Sequence, residues 1–95
     1  MKLFDIKEFK EFTDFVLSIA EELDNVSVEI YSPSESYKSY IACLNFEDYE
    51  DYLWVNITNE DGVYTVCVET MYEHILTESY VSKERIIELL KDISV

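Results

Sequence analysis

Few side chains in this chain are equipped for chemistry. His74 is the only histidine, the side-chain type best suited to general-base work, and Cys43 and Cys67 are the only thiols. A histidine among acids is the start of a metal site, so His74 with Glu73 and Glu78 is the candidate ligand set for a divalent ion such as zinc. Apart from that set no cofactor is expected, and His74 reads equally well as an ordinary, partly exposed histidine. No motif that would activate a nucleophile surrounds either cysteine, and each reads as a small buried hydrophobe. The single glycine, Gly62, excludes a glycine-rich phosphate loop, a dinucleotide fingerprint and a nucleophile elbow. No enzymatic activity is expected.

The elements that position these residues follow from periodicity. Ile6, Phe9, Phe12, Val16, Ile19 and Leu23 recur at helical spacing behind a capping pair, Asp5 and Glu8, which predicts an amphipathic helix over about 6–24 closed by Asn25. Period-two alternation predicts strands from Val26 to about Tyr31, from about Tyr37 to Phe46, from about Tyr52 to Thr58 and from about Val63 to Met71. Ser32-Pro33-Ser34-Glu35 marks the first turn, and Asn59-Glu60-Asp61-Gly62 supplies the left-handed backbone that a hairpin needs. Residues 72–81 either extend the fourth strand or cross irregularly. Ser82 caps a second helix over about 83–93 with Ile86, Leu89, Leu90 and Ile93 on one face. The expected fold is therefore α+β, ordered α-β-β-β-β-α: a four-stranded antiparallel meander with two helices packed on one face. In such a meander Cys43 and Cys67 are separated by the third strand, about 9.5 Å apart, which is too far for a disulfide.

Ninety-five residues suit a single domain over 1–95, and 48% hydrophobic content is too high for an acidic disordered tail. Two cysteines, an early run of charge and no long apolar stretch at the amino terminus point to a cytoplasmic protein. Twenty-one acids against seven bases give a formal charge of −14, which excludes direct binding to nucleic acid or to an anionic membrane. That charge is unevenly placed. Residues 39–82 hold nine acids and no Lys or Arg. Glu47, Asp48, Glu50 and Asp51 flank Tyr49, and Glu60-Asp61 forms a second acidic site at the opposite end of the sheet. Carboxylates two residues apart on extended chain lie about 6.6 Å from one another, within the range of phosphate spacing along a nucleic-acid strand. Nine uncompensated carboxylates repel each other, so a basic partner gives them a use.

If Leu53, Val55 and Ile57 face the helices, Tyr52 and Trp54 face away, and parity adds Ile41, Val63, Cys67 and Tyr31 to the same outer face. Such an aromatic patch marks an interface, with a partner or with a second copy in a homodimer. The candidate partner-binding residues are thus Glu47, Asp48, Glu50, Asp51, Glu60, Asp61, Tyr49, Tyr52 and Trp54.

The small size, the scarcity of Gly, Ala, Pro and Arg that marks an AT-rich genome, and the Glu47-Asp48-Tyr49-Glu50-Asp51 run joined to aromatic strands resemble phage-encoded anti-CRISPR proteins, in particular acidic inhibitors of type II effectors. The resemblance implies binding to Cas9 in a positively charged groove that otherwise holds nucleic acid, in the cytoplasm of the host cell. Two other readings fit the composition: an immunity protein or antitoxin for a basic nuclease toxin, and an acidic, dimeric adaptor of the secretion-chaperone kind.

Overall fold

The computed structural model describes residues 6–31, 39–46 and 52–94. The chain runs through α1 (Ile6–Glu21), β1 (Val26–Ile30), β2 (Ser39–Phe46), β3 (Leu53–Glu60), β4 (Val63–Glu69), β5 (His74–Ser79) and α2 (Lys83–Ser94). The fold is α+β, and the strands form one antiparallel sheet in the order β1-β2-β3-β4-β5. The described residues form five strands, where the sequence pattern gives four. The fifth comes from the segment 72–81, which neither prolongs β4 nor crosses irregularly.

β4 stops before Met71 because Thr70 folds the chain back. The Thr70 hydroxyl accepts the N–H groups of Tyr72 and Glu73 at 3.2 Å each, and its own N–H donates to the Glu73 carbonyl at 2.8 Å. This local turn chemistry places His74 opposite Glu69, with an irregularity between Val68 and Glu69, and the chain then returns along β4.

The other boundaries have equally local causes. α1 ends at Glu21, two residues before its apolar pattern does, as the N–H groups of Glu22 and Leu23 turn to i−3 carbonyls and Asn25 takes φ 56°. Asp61 (φ 52°) and Gly62 (φ 82°) form a two-residue hairpin loop, both left-handed as a type I′ turn requires, and the Asn59 side chain accepts the Gly62 N–H at 3.1 Å. β3 continues to Glu60 rather than ending at Thr58. The Ser82 hydroxyl accepts the Arg85 N–H at 3.1 Å and caps α2. The proposed cap at Asp5 and the turn at Ser32-Pro33-Ser34-Glu35 lie outside the described residues.

Both helices cover the same face. Phe12, Val16 and Ile19 of α1 and Ile86 and Leu90 of α2 are buried against Leu44, Val55, Ile57, Val66 and Val68 of the three central strands. At the end of the sheet near the β3–β4 hairpin this core is aromatic: Phe12 stacks on Tyr40 with ring centroids 5.7 Å apart, and Phe15 on Tyr64 at 4.0 Å. β5 is tied to α2 by a two-point ion pair, Arg85 Nε and its terminal nitrogen donating to Glu78 at 2.9 and 3.1 Å, while Arg85 also reaches Glu88 at 2.6 Å. No described helix is long and apolar enough to cross a membrane.

Two consequences are measurable. Tyr80 links β5 to α2 at φ 60° with its side chain 85% exposed, so the residue carries left-handed strain and little packing. Tyr80→Gly should stabilise the fold by up to about 1 kcal/mol and raise Tm by about 4–8 °C per kcal/mol, whereas Tyr80→Val should lower it, as read by thermal unfolding. Hydrogen bonds from Arg85 hold the Glu78 carboxyl below its ordinary pKa. A depressed folded pKa contributes stability above the unfolded value that is lost as pH falls through the folded one. The Tm difference between the native protein and Glu78→Gln should therefore be largest near neutrality and shrink below about pH 4.

Candidate interaction face

The strand registers resolve the sheet face opposite the helices into rungs. Ser27, Asn45, Trp54, Glu69 and His74 form one, and Glu29, Cys43, Asn56, Cys67 and Thr77 the next. A third holds Ile41, Thr58, Thr65 and Ser79, with Tyr31 joined to it through its N–H and the Ile41 carbonyl at 3.0 Å. Glu60 and Val63 close the hairpin end. The expected outer positions of Trp54, Tyr31, Ile41, Val63 and Cys67 are therefore met by alternation. No described element packs over this face, since residues 72–81 widen the sheet instead of folding across it.

Its chemistry is mixed. Trp54 and Ile41 are half-buried, and Tyr31 is 49% exposed. Around these apolar groups stand Glu29, Glu60 and Glu69, and none of the five strands carries a Lys or Arg. The described cations all lie on the helices: Lys7 and Lys10 on α1, Lys83, Arg85 and Lys91 on α2. Lys10 pairs with Asp14 at 3.9 Å, and Arg85 with Glu78 and Glu88. Among the described residues this face therefore carries acids without Lys or Arg, with Trp54 toward one end and Ile41 and Tyr31 two rungs away.

A chain of polar contacts crosses β4 and β5 on this face. His74 Nε2 meets the Thr77 hydroxyl at 2.6 Å, that hydroxyl donates to Cys67 Sγ at 3.5 Å, and the Cys67 thiol donates to Glu69 at 3.2 Å. Burial is the main cause raising the Cys67 pKa, with Glu69 adding to it. Cys43 is raised by burial and by Glu29, and these two neighbours in turn push the Tyr31 phenol up. Both thiols thus stay protonated at neutral pH and are weaker nucleophiles than an ordinary cysteine. They are free, and β3 separates them through Asn56, which pairs with both, as the meander requires.

The metal set expected from sequence is not assembled. Glu78 sits opposite Val66 on the helix side of β5 and is held by Arg85, Glu73 belongs to the exposed turn before β5, and His74 lies on the outer face against Thr77. Among the described residues no group of three His, Cys, Asp or Glu side chains is placed to hold a metal ion.

Of the expected partner-binding residues, Glu47, Asp48, Tyr49, Glu50 and Asp51 lie outside the described residues. Their segment joins Phe46 to Leu53, which are paired at one end of the sheet, while Glu60 and Asp61 stand at the other, about 24 Å away along β3. Tyr52 is 67% exposed, at φ 56°, just before β3. Sequence reading passed over Glu29 and Glu69, although each shares the parity of an outer-face residue, Glu29 that of Tyr31 and Glu69 that of Cys67.

No protein-family model matches this chain, and comparison with curated proteins and with solved structures gives no match.

The raised Cys67 pKa has a direct readout. Alkylation of the native protein by iodoacetamide, followed by mass spectrometry, should be several-fold slower at pH 7.5 than for a free cysteine peptide, with the gap narrowing above about pH 9.

Proposed function

We propose that this chain is a small acidic interaction protein that binds and blocks a basic nucleic-acid-handling protein, an inhibitor of the anti-CRISPR kind acting on Cas9. The observation that carries the reading is the open sheet face, which presents Trp54, Ile41 and Tyr31 together with Glu29, Glu60 and Glu69 and has no Lys or Arg on any described strand. Trp54 at one end and Tyr31 with Ile41 farther along supply contacts that can be desolvated, and the carboxylates of the face steer a positively charged surface toward them. The acidic run from Glu47 to Asp51 adds four more charges to the same chain segment. A groove built to hold a phosphate backbone is the complementary surface.

The role is one of binding rather than catalysis, and the protein competes with nucleic acid without touching it. An immunity protein for a basic nuclease would use the same face. A homodimeric adaptor is disfavoured by charge: an isologous contact through this face would set two surfaces of the same negative sign against each other.

Binding to purified Cas9, followed by inhibition of target cleavage, tests the reading. A 1:1 complex is expected whose affinity falls steeply between about 50 and about 500 mM salt. The double reversal Glu29→Lys/Glu69→Lys should slow association about tenfold or more, and Trp54→Ala should mainly speed dissociation. Affinity unchanged by salt would overturn the electrostatic reading. A basic nuclease bound in place of Cas9 would move the target to the immunity class.

A further inference from the structure

The helix side of the sheet opens at one end. Between the start of α1 and the β3–β4 hairpin lies a groove of about 340 Å³, at the lower end of the ~300–1,000 Å³ typical of ligand clefts. Glu8 and Glu11 of α1 form one wall, and Asn59, Asp61 and Gly62 of the hairpin form the other. Tyr40 and Tyr64 supply the aromatic lining, and no Lys or Arg is among the described residues that border it.

The lining is held in place from behind. Tyr40 is 8% exposed, its ring lies 5.8 Å from Phe9 and 5.7 Å from Phe12, and its hydroxyl donates to Glu8 Oε2 at 3.3 Å. Tyr64 stacks on Phe15 at 4.0 Å and on Phe12 at 6.3 Å. The opposite wall is fixed by the type I′ turn and by the bond from the Gly62 N–H to Asn59 Oδ1. Two aromatic side chains backed by the core, with carboxylates on both rims, make a cleft that needs little rearrangement to receive a cation.

The geometry points to an arginine side chain of the protein partner as the occupant of this groove. A planar guanidinium satisfies both halves of the lining at once, lying against aromatic carbon while donating in its own plane to carboxylates, whereas an ammonium is a compact, strongly hydrated point charge. The apolar stem of arginine suits the ring-lined approach. Because this site lies on the other side of the sheet from Trp54, it is a second point of attachment. Only the source of the arginine rests on the proposed function; the groove's preference for a guanidinium stands separately.

The test uses the full chain, labelled with 15N, titrated with N-acetyl-arginine amide and, in parallel, with the neutral citrulline analogue, the lysine analogue and spermidine. Arginine should shift the Gly62 backbone amide and the Asn59 side-chain amide in a saturable way, binding about threefold or more tighter than lysine, with no response to citrulline. Glu11→Gln with Asp61→Asn should weaken the arginine response by about threefold or more while the rest of the spectrum stays unchanged, since asparagine tolerates the left-handed turn position. No shift at Gly62 and Asn59, an equal response to citrulline, or spermidine binding as well as arginine would each overturn the proposal. Failure here leaves the outer face untouched, because the Trp54→Ala effect on complex lifetime is scored on the complex itself.

Discussion

The constraint on which everything else depends is one of coverage. Five strands about 4.8 Å apart make a sheet roughly 19 Å wide between its edge strands, and two helices each about 10 Å across are just sufficient to shield one side of it. The described residues supply those two helices and both lie on the same face, where Phe12, Val16, Ile19, Ile86 and Leu90 seal the central strands. The opposite face is left uncovered by any described element and is finished largely by polar side chains. Its asparagines and threonines, interspersed with Trp54, Ile41 and the two cysteines, give that face a mixed polar and apolar surface.

Electrostatics divide along the same plane. Every described lysine and the one arginine stand on the helices, where Lys10 and Arg85 meet acids at short range, and the described strands carry acids but no Lys or Arg. Exposed pairs such as Lys10 with Asp14 contribute little to stability. The interaction between Arg85 and Glu78 differs in what it joins: two hydrogen bonds to one carboxylate connect the last strand to the last helix, so the edge strand and α2 are held in fixed relation. The carboxylates of the open face have no such partner within the sheet, and their mutual repulsion is a standing cost of keeping one sign of charge there.

Much of this arrangement was legible in the residues, for identifiable reasons. α1 and the β3–β4 hairpin announce themselves through strong periodicity and an Asp-Gly turn, and the inner and outer faces of β3 follow from simple alternation. β5 did not, because its pattern is inverted: Ile75 is exposed, while Glu78 occupies a helix-side position that would normally be apolar. What makes Glu78 acceptable there is Arg85, a residue on another element, and no local signal reports that contact. The groove was hidden for a similar reason. Glu8 and Glu11 read as the solvated side of an amphipathic helix, and only the fold brings the hairpin and Tyr40 beside them. The candidate metal set is close in sequence but divided in space, with Glu73 in the turn before β5 and His74 and Glu78 on opposite faces of that strand.

The rungs of the sheet also bear on how such a protein can change over time. In β3 the core is carried by Leu53, Val55 and Ile57 and the open face by Trp54, Asn56 and Thr58, so neighbouring positions answer to different selective demands. Substitutions at the outward positions can rewrite what the face recognises while the buried set, and with it the fold, is inherited unchanged. Length is not free in the same way, because one inserted residue within a strand would exchange the two sets. Variation in recognition should therefore accumulate as point substitutions on the strands, with insertions and deletions confined to the connections between them.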